Sequence, residues 1–321
     1  MHALKTAFEE YLISRIPSKE PAALYRAIQY VLQNGGKRIR PLLVLLSAKS
    51  YGEDINAALP AAASVEIFHN FTLVHDDIMD HSDVRRGKPT VHKKWNENLA
   101  ILSGDTMLVW AYKMLEEYEG ETYKKLNTLL NQTAVEICEG QQMDMDFENR
   151  NDVSMDEYLQ MIRLKTAVLL GTALQFGGII AKATDKSIQA FNKYGEKIGL
   201  AFQIQDDYLD TYGDAETFGK KIGRDILDRK KTFLYITALQ RANDEDRQKL
   251  IGFYQDNRIA GEELVQKVTD IFDKYGVKKI SLDKIQEFTG EAMEALSQTG
   301  LPETEKEFWK SFAFDLMNRK K

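Results

Sequence analysis

The sequence predicts an all-α protein organised as a single domain over residues 1–321, and three observations carry that prediction. The six prolines are Pro17, Pro21, Pro41, Pro60, Pro89 and Pro302, so 212 consecutive residues, 90–301, contain none. Ordinary usage would put about ten there. A β-rich or loop-rich chain needs turn prolines in such a span, whereas stacked helices do not. Apart from Asn34-Gly35 in an NGG loop, no Asn-Gly or Asp-Gly hairpin pair occurs. No stretch sustains the alternation of a strand, while helical signals recur throughout.

The elements follow in order. Ser18-Lys19-Glu20-Pro21 opens the first helix, with Leu24, Ile28, Val31 and Leu32 at helical spacing and Gly35-Gly36 closing it. Apolar periodicity then places helices at roughly 39–51, 60–80, 97–117 and 121–142. Ser154-Met155-Asp156-Glu157 is a capping box ahead of Leu159, Ile162, Leu169 and Leu170. Further helices are expected at roughly 185–211, 230–241, 244–256, 260–274 and 279–298.

Composition excludes several functions. With 43% apolar and 29% charged residues, 321 residues suffice for a large core. The formal charge of −6, from 43 basic and 49 acidic residues, argues against general nucleic-acid binding. The lone Cys138 rules out an internal disulfide framework and fits a reducing compartment. The apolar run LLVLLSA at 42–48 is far too short to span a bilayer, and the first fifteen residues lack the apolar stretch of a signal peptide. The expectation is a soluble, cytoplasmic protein with no integral membrane segment.

Two aspartate clusters stand out: Asp76-Asp77-Ile78-Met79-Asp80 and Asp206-Asp207-Tyr208-Leu209-Asp210. With 24 Asp, a random order gives roughly 0.13 D-D-x-x-D patterns, and two or more under roughly one time in a hundred. Both end long apolar segments, EIFHNFTLVHDD and EKIGLAFQIQDD, which read as buried helices rather than solvated faces. Asp76 and Asp80, like Asp206 and Asp210, stand one turn, roughly 5.4 Å, apart on one face. On an ideal wheel His69 and Thr72 line up with Asp76, and Gly199 and Gln203 with Asp206. Carboxylates gathered in a buried site repel one another unless cations neutralise them. Oxygen-only donors favour Mg²⁺ over Zn²⁺, and Mg²⁺ keeps positions for water and phosphate oxygens, which predicts a diphosphate substrate.

Basic residues are placed to match. Gly35-Gly36 precedes Lys37, Arg38 and Arg40, a turn where backbone can approach an anion and guanidinium forks can hold it. Arg85-Arg86-Gly87 follows the first Asp cluster; Gly219-Lys220-Lys221-Ile222-Gly223-Arg224-Asp225 and Lys230-Lys231-Thr232 follow the second. One such run is usually solvated surface, but the repeated pairing with Asp clusters singles these out.

In order along nearly the whole chain, GGKRIRP, EIFHNFTLVHDDIMD, RRGKPTVH, the LKT of 164–166, FQIQDDYLD, GKKIGRDI and RKKT resemble the motifs of the trans-isoprenyl diphosphate synthases. This polyprenyl synthetase family includes farnesyl and geranylgeranyl diphosphate synthases. The resemblance implies about ten or more helices around a deep central cavity, a homodimer, and about three Mg²⁺ ions bridging diphosphate. It implies condensation of isopentenyl diphosphate with an allylic diphosphate (dimethylallyl, geranyl or farnesyl) by ionisation, condensation and elimination. It places Asp76, Asp77, Asp80, Asp206, Asp207 and Asp210 at the metal, with Asp76, Asp80 and Asp206 as direct ligands and Asp77 and Asp210 in support. Arg85, Lys165, Lys220 and Lys230 fall to the allylic diphosphate, and Lys37, Arg40, His69 and Arg86 to isopentenyl diphosphate. Lys165, Thr166 and Gln203 fall near the developing allylic cation. His69 also reads as an ordinary hydrogen-bonded helix histidine, and His75 and His92 as structural. The tail Asn318-Arg319-Lys320-Lys321 resembles the basic end that closes the site in some relatives, and reads equally as a frayed terminus.

The resemblance also implies a product length from the residues just before the first Asp motif: Thr72 is small, Phe71 aromatic, and DDIMD carries no insertion. Geranylgeranyl diphosphate is therefore the first expectation and farnesyl diphosphate the second. Phe71 falls about 140° from Asp76 on an ideal wheel, so its reach into a cavity needs a local distortion; packing between helices is the alternative. Two other functions stay open at this point: a class I terpene cyclase, and a non-catalytic helical subunit regulating a partner synthase.

Overall fold

The computed structural model describes residues 1–213, 223–255 and 258–317. In chain order its helices are α1 (His2–Arg15), α2 (Ala22–Leu32), α3 (Ile39–Ser50), α4 (Ile55–Met79), α5 (Val91–Lys94), α6 (Glu97–Leu115), α7 (Gly120–Glu148), α8 (Met155–Ile162), α9 (Val168–Ile180) and α10 (Asp185–Tyr212). There follow α11 (Arg224–Leu227), α12 (Phe233–Arg241), α13 (Asp244–Gln255), α14 (Gly261–Lys274), α15 (Val277–Ser297) and α16 (Glu303–Met317). A π-helical turn, Arg163–Ala167, joins α8 to α9. Among the described residues the only strands are β1 (Val84–Arg85) and β2 (Lys88–Pro89), so the protein is all-α. The chain divides into two compact units, residues 1–132 with 172–189 and residues 133–171 with 190–321. The divisions fall inside α7, α9 and α10 rather than in linkers.

In the first unit α4 is the central element, packed against α3 and α6. Ala58, Ala61, Ala62 and Ala63 are fully buried along it, and such short side chains let neighbouring helices approach closely. The helix starts at Ile55, before the expected position 60, because Asp54 caps it by accepting the Asn56 amide at 2.9 Å. Pro60 lies inside the helix at small cost: the carbonyl that loses its donor belongs to exposed Asn56, which water can reach. By length and composition α4 is apolar enough to cross a membrane, but 72% of its apolar window is buried within the protein, so it is a core helix.

Besides the single-turn α5 and α11, two longer helices lie outside the sequence expectations. Helix α1 buries only Phe8 and Leu12, too faint a period to stand out among its acids. Helix α16 buries Trp309, Phe312, Ala313 and Leu316. Trp309 meets Phe191 and Tyr194 edge-on within the second unit, where the Tyr194 hydroxyl donates to its carbonyl at 2.8 Å. The expected capping box is present, Ser154 and Glu157 each satisfying the other's backbone N–H. Helix α12 starts at Phe233, not 230, because Thr232 is its cap; Lys230 and Lys231 therefore lie in the preceding turn.

One of the three cations after the glycine turn is used by the fold instead. Arg38, at φ 54 just before α3, turns inward and is 5% exposed. Its Nη1 donates to Glu66 Oε1 at 2.5 Å and its Nη2 to the Leu32 carbonyl at 2.5 Å. Glu66 also accepts from Asn70 Nδ2 at 3.0 Å. Of the three cations in GGKRIRP, the middle one thus joins loop to core. Removing one partner of a buried pair strands the other charge, so Glu66→Ala should cost about 3–5 kcal/mol. A denaturant melt reads this directly; a loss under about 1 kcal/mol would mean the pair is solvated and ordinary.

Candidate active site

The first unit carries a cationic face. Gly35 and Gly36 take φ of 69 and 127, which a side chain rarely adopts. A Cβ on Gly36 would stand 2.9 Å from the Arg86 guanidinium carbon, so the missing side chain is what admits Arg86. Arg86 reaches this place from the β1–β2 hairpin, whose register pairs Val84 with Pro89 and Arg85 with Lys88. Arg86 and Gly87, both at positive φ (53 and 74), form its two-residue turn, as a type I′ turn requires. Arg86 Nη1 donates to the Gly35 carbonyl at 2.5 Å, and Asn34 Nδ2 to the Arg85 carbonyl at 3.3 Å.

Arg40 Nη1 lies 3.1 Å from His69 Nε2. Burial, and then the fields of Arg40, Arg86, Arg85 and Arg38, hold His69 well below the usual imidazole range. It is therefore neutral at pH 7 and accepts from Arg40, leaving the ring proton on Nδ1. Burial pushes Arg40 down to about 10, still cationic at neutral pH, and its Nε is buried without a partner among the described residues. Neither Arg40 nor Arg86 pairs with a carboxylate among the described residues. Lys37 is exposed at the start of the same turn. Two partly desolvated guanidiniums with only neutral partners suit an anion.

The first Asp motif closes α4, with Asp80 as its C-cap. Asp77 is 5% exposed and accepts from Arg85 Nε at 2.7 Å, while Arg85 Nη2 donates to Asp76 at 3.3 Å. Burial raises the Asp77 carboxyl although Arg85 opposes the shift. Asp76 is half-buried and Asp80 exposed. Carboxylates in the last turn of a helix oppose its dipole, a cost that a bound cation offsets.

The second motif repeats this at the end of α10, in the second unit. Asp207 is 6% exposed, and both its oxygens are engaged. Oδ2 accepts from the Tyr158 hydroxyl at 2.5 Å and the Phe233 amide at 3.1 Å, and Oδ1 from Gln203 Nε2 at 3.3 Å. Gln203 Oε1 accepts from Thr166 Oγ1 at 3.3 Å, so Thr166, Gln203 and Asp207 form one chain. Lys165 pairs with Asp144 at 2.5 Å; both Lys165 and Thr166 lie in the π turn, which re-aims them relative to a regular helix. Gly199, one turn before Gln203, faces the same π turn: a Cβ there would stand 2.7 Å from Ala167, so it serves close packing of α10 on that turn. Asp206 is exposed, and Asp210 accepts the Asp225 amide at 2.8 Å. Lys220 and the tail 318–321 lie outside the described residues.

Asp225 is the residue that sequence reasoning passed over, although it stands in the GKKIGRD run. Burial, then Asp207 and Asp210, push its carboxyl well above the ordinary range, against a weaker pull from Lys230. The Lys230 amide donates to the Asp225 carbonyl at 2.9 Å. Among the described residues no three Asp, Glu, His or Cys side chains converge to enclose a metal. The carboxylate donors fit a hard cation that takes its remaining ligands from water or phosphate.

Ahead of the first motif, Phe71 is 9% exposed. Its ring meets Phe68 at 5.5 Å and His75 at 4.9 Å between centroids. His75 Nε2 lies 3.2 Å from the Ile101 carbonyl, in space that Gly104 of α6 leaves open, where any Cβ would overlap the imidazole. His75 is thus a packing residue. Thr72 Oγ1 donates back to the His69 carbonyl at 2.8 Å. Both ring nitrogens of His92, in α5, are buried without a partner among the described residues.

The raised Asp225 carboxyl has a stability consequence. A group whose folded pKa lies above its unfolded one contributes stability at low pH that is lost as pH rises through the folded value. Without divalent cation, Asp225→Asn should therefore gain thermal midpoint over the parent as pH goes from about 5 to about 9. A difference that stays flat or shrinks would contradict the repulsion.

A family model described as polyprenyl synthetase matches residues 21–272. A geranylgeranyl diphosphate synthase of Methanosarcina mazei is 40% identical over 274 residues, 85% of this chain and 84% of its own. A crystal structure of a geranylgeranyl pyrophosphate synthase superposes with a TM-score of 0.94 at 45% identity, covering 100% of this chain and 99% of that one. The geranylgeranyl pyrophosphate synthase of Corynebacterium glutamicum, solved with isoprenyl diphosphate and magnesium, gives 0.86 at 27% identity over 99% and 98%. With the described residues of the seven motifs on helices, turns and one hairpin of this all-α fold, and with these matches over nearly its whole length, the chain belongs to the polyprenyl synthetase family.

Proposed function

We propose that the protein is a short-chain prenyltransferase that condenses isopentenyl diphosphate with allylic diphosphates and ends at geranylgeranyl diphosphate, with farnesyl diphosphate as the next candidate. The observation that carries this reading is like charge gathered at two places: carboxylates at the ends of α4 and α10, and Arg40 with Arg86 around a neutral His69. Anions alone answer the second, and divalent cations carrying diphosphate answer the first.

Asp76, Asp80 and Asp206 would hold Mg²⁺, about three ions, with Asp77 and Asp210 in support. Bound Mg²⁺ would neutralise the diphosphate as it leaves. We assign Asp207, committed to Tyr158, Phe233 and Gln203, to fixing the last turn of α10 so that Asp206 and Asp210 are presented to solvent. Lys165, Lys220, Lys230 and Arg85 would bind the allylic diphosphate; Arg85 already steadies Asp76 and Asp77. Lys37, Arg40, Arg86 and the Nδ1 proton of His69 would bind isopentenyl diphosphate. Thr166 and Gln203, joined by their own hydrogen bond, present fixed dipoles near the developing allylic cation, and fixed dipoles cost no reorganisation during reaction. The double bond of isopentenyl diphosphate attacks that cation, and the proton lost passes to the departing diphosphate. Homodimer formation and a cytoplasmic location complete the proposal.

Kinetics test the metal role. Asp76→Ala or Asp206→Ala should lower turnover by about a thousandfold or more, with the thermal midpoint held or raised because a repulsive carboxylate is gone. Near-parental turnover in both variants would refute it. Phe71, braced by Phe68 and His75, is the proposed floor beneath the growing chain. Phe71→Ala should lengthen the product by at least one isoprene unit; identical product distributions would mean Phe71 only packs between helices.

A further inference from the structure

Helix α1 lies ahead of the region matched by the family model, residues 21–272. Phe8 and Leu12 are buried and seat it in the first unit. From that seat two side chains one turn apart reach the loop between α2 and α3. Lys5 Nζ donates to the Gly36 carbonyl at 2.9 Å, and Glu9 Oε1 accepts from Arg38 Nε at 3.4 Å. Arg86 Nη1 meanwhile donates to the Gly35 carbonyl. Two consecutive carbonyls of the glycine turn are thus held by two cations from distant parts of the chain.

Planar trans geometry gives that grip a consequence. Each C=O points opposite the N–H that follows it, so holding the Gly35 and Gly36 carbonyls also fixes the Gly36 and Lys37 amides. Gly36, at φ 127, occupies backbone space where only glycine moves freely, so without an anchor this peptide has many orientations to lose on binding. The Gly36 carbonyl, committed to Lys5, also keeps its partial negative charge on a cation instead of presenting it to an anion. The next residues along this turn are Lys37 and Arg40.

We propose that Lys5 is a positioning residue for isopentenyl diphosphate: it fixes the Gly36–Lys37 peptide and so the turn from which Lys37 and Arg40 reach the anion. It contacts neither substrate nor metal. The inference rests on the proposed assignment of this turn, with Arg86, to isopentenyl diphosphate.

Steady-state kinetics on Lys5→Met, Lys5→Arg and Arg40→Ala, with farnesyl diphosphate and Mg²⁺ saturating, separate the possibilities. Lys5→Met should raise the KM for isopentenyl diphosphate by about threefold to tenfold, with kcat and the allylic KM within about twofold. Its thermal midpoint should stay near the parent's, and Lys5→Arg, which can still donate, should restore the parental KM. An unchanged KM in Lys5→Met beside a raised one in Arg40→Ala would overturn the role of Lys5 alone. A fall in kcat and thermal midpoint together, not rescued by Lys5→Arg, would reduce Lys5 to a structural residue and overturn it too. If neither Lys5→Met nor Arg40→Ala moves this KM, the site assignment itself fails and the inference falls with it.

Discussion

Like charge gathered within short reach is the constraint on which each half of the proposed machinery depends. In the first unit Arg38 is paired with Glu66, and Arg85 with Asp76 and Asp77, but among the described residues Arg40 and Arg86 have only a neutral imidazole and a backbone carbonyl. In the second, burial and then Asp207 and Asp210 raise the Asp225 carboxyl against Lys230, and burial raises Asp207 against its hydrogen bonds from Tyr158, Phe233 and Gln203. Holding such groups together costs stability that the surrounding fold must offset. The buried Arg38–Glu66 pair, the hairpin turn at Arg86-Gly87 and the hydrogen bonds around Asp207 are where that support is visible. Each fixes a charged side chain before any ligand arrives, which lowers the ordering cost of binding.

The same logic orders the apolar part of the site. Gly104 leaves room for His75, His75 braces Phe71, and Phe71 meets Phe68. Phe71 is therefore held by its neighbours, and its effect on product length would belong to the group. A small residue on α6 sets the position of an aromatic on α4, and neither sequence neighbour reveals the link.

Much of this was legible because the chemistry demands fixed spacing. Two carboxylates that share a cation need one helical face, so D-D-x-x-D at the ends of apolar segments marked the motifs. The NGG turn was legible for a backbone reason, since positive φ favours glycine, whereas the hairpin turn at Arg86-Gly87 carries no Asn-Gly or Asp-Gly pair and was not anticipated. What stayed hidden depends on partners far along the chain. Asp77 and Asp207 look like their neighbours in sequence, and only Arg85 and Tyr158 make them anchors. Arg38 sits between two anion-facing candidates, and only Glu66, a lone acid in the apolar stretch before His69, signalled that it would turn inward. The packing role of Gly199 was hidden because no local pattern announces the π turn at 163–167 that it meets. Asp225 was hidden among the basic residues of its own motif.

The measurement that bears most directly on the whole account is mass-spectrometric analysis of products from Mg²⁺, isopentenyl diphosphate and each allylic starter in turn. The account predicts a linear twenty-carbon diphosphate as the main end product from dimethylallyl, geranyl and farnesyl diphosphates, and none after chelation of the metal. A cyclic hydrocarbon, or no elongation from any starter, would contradict it.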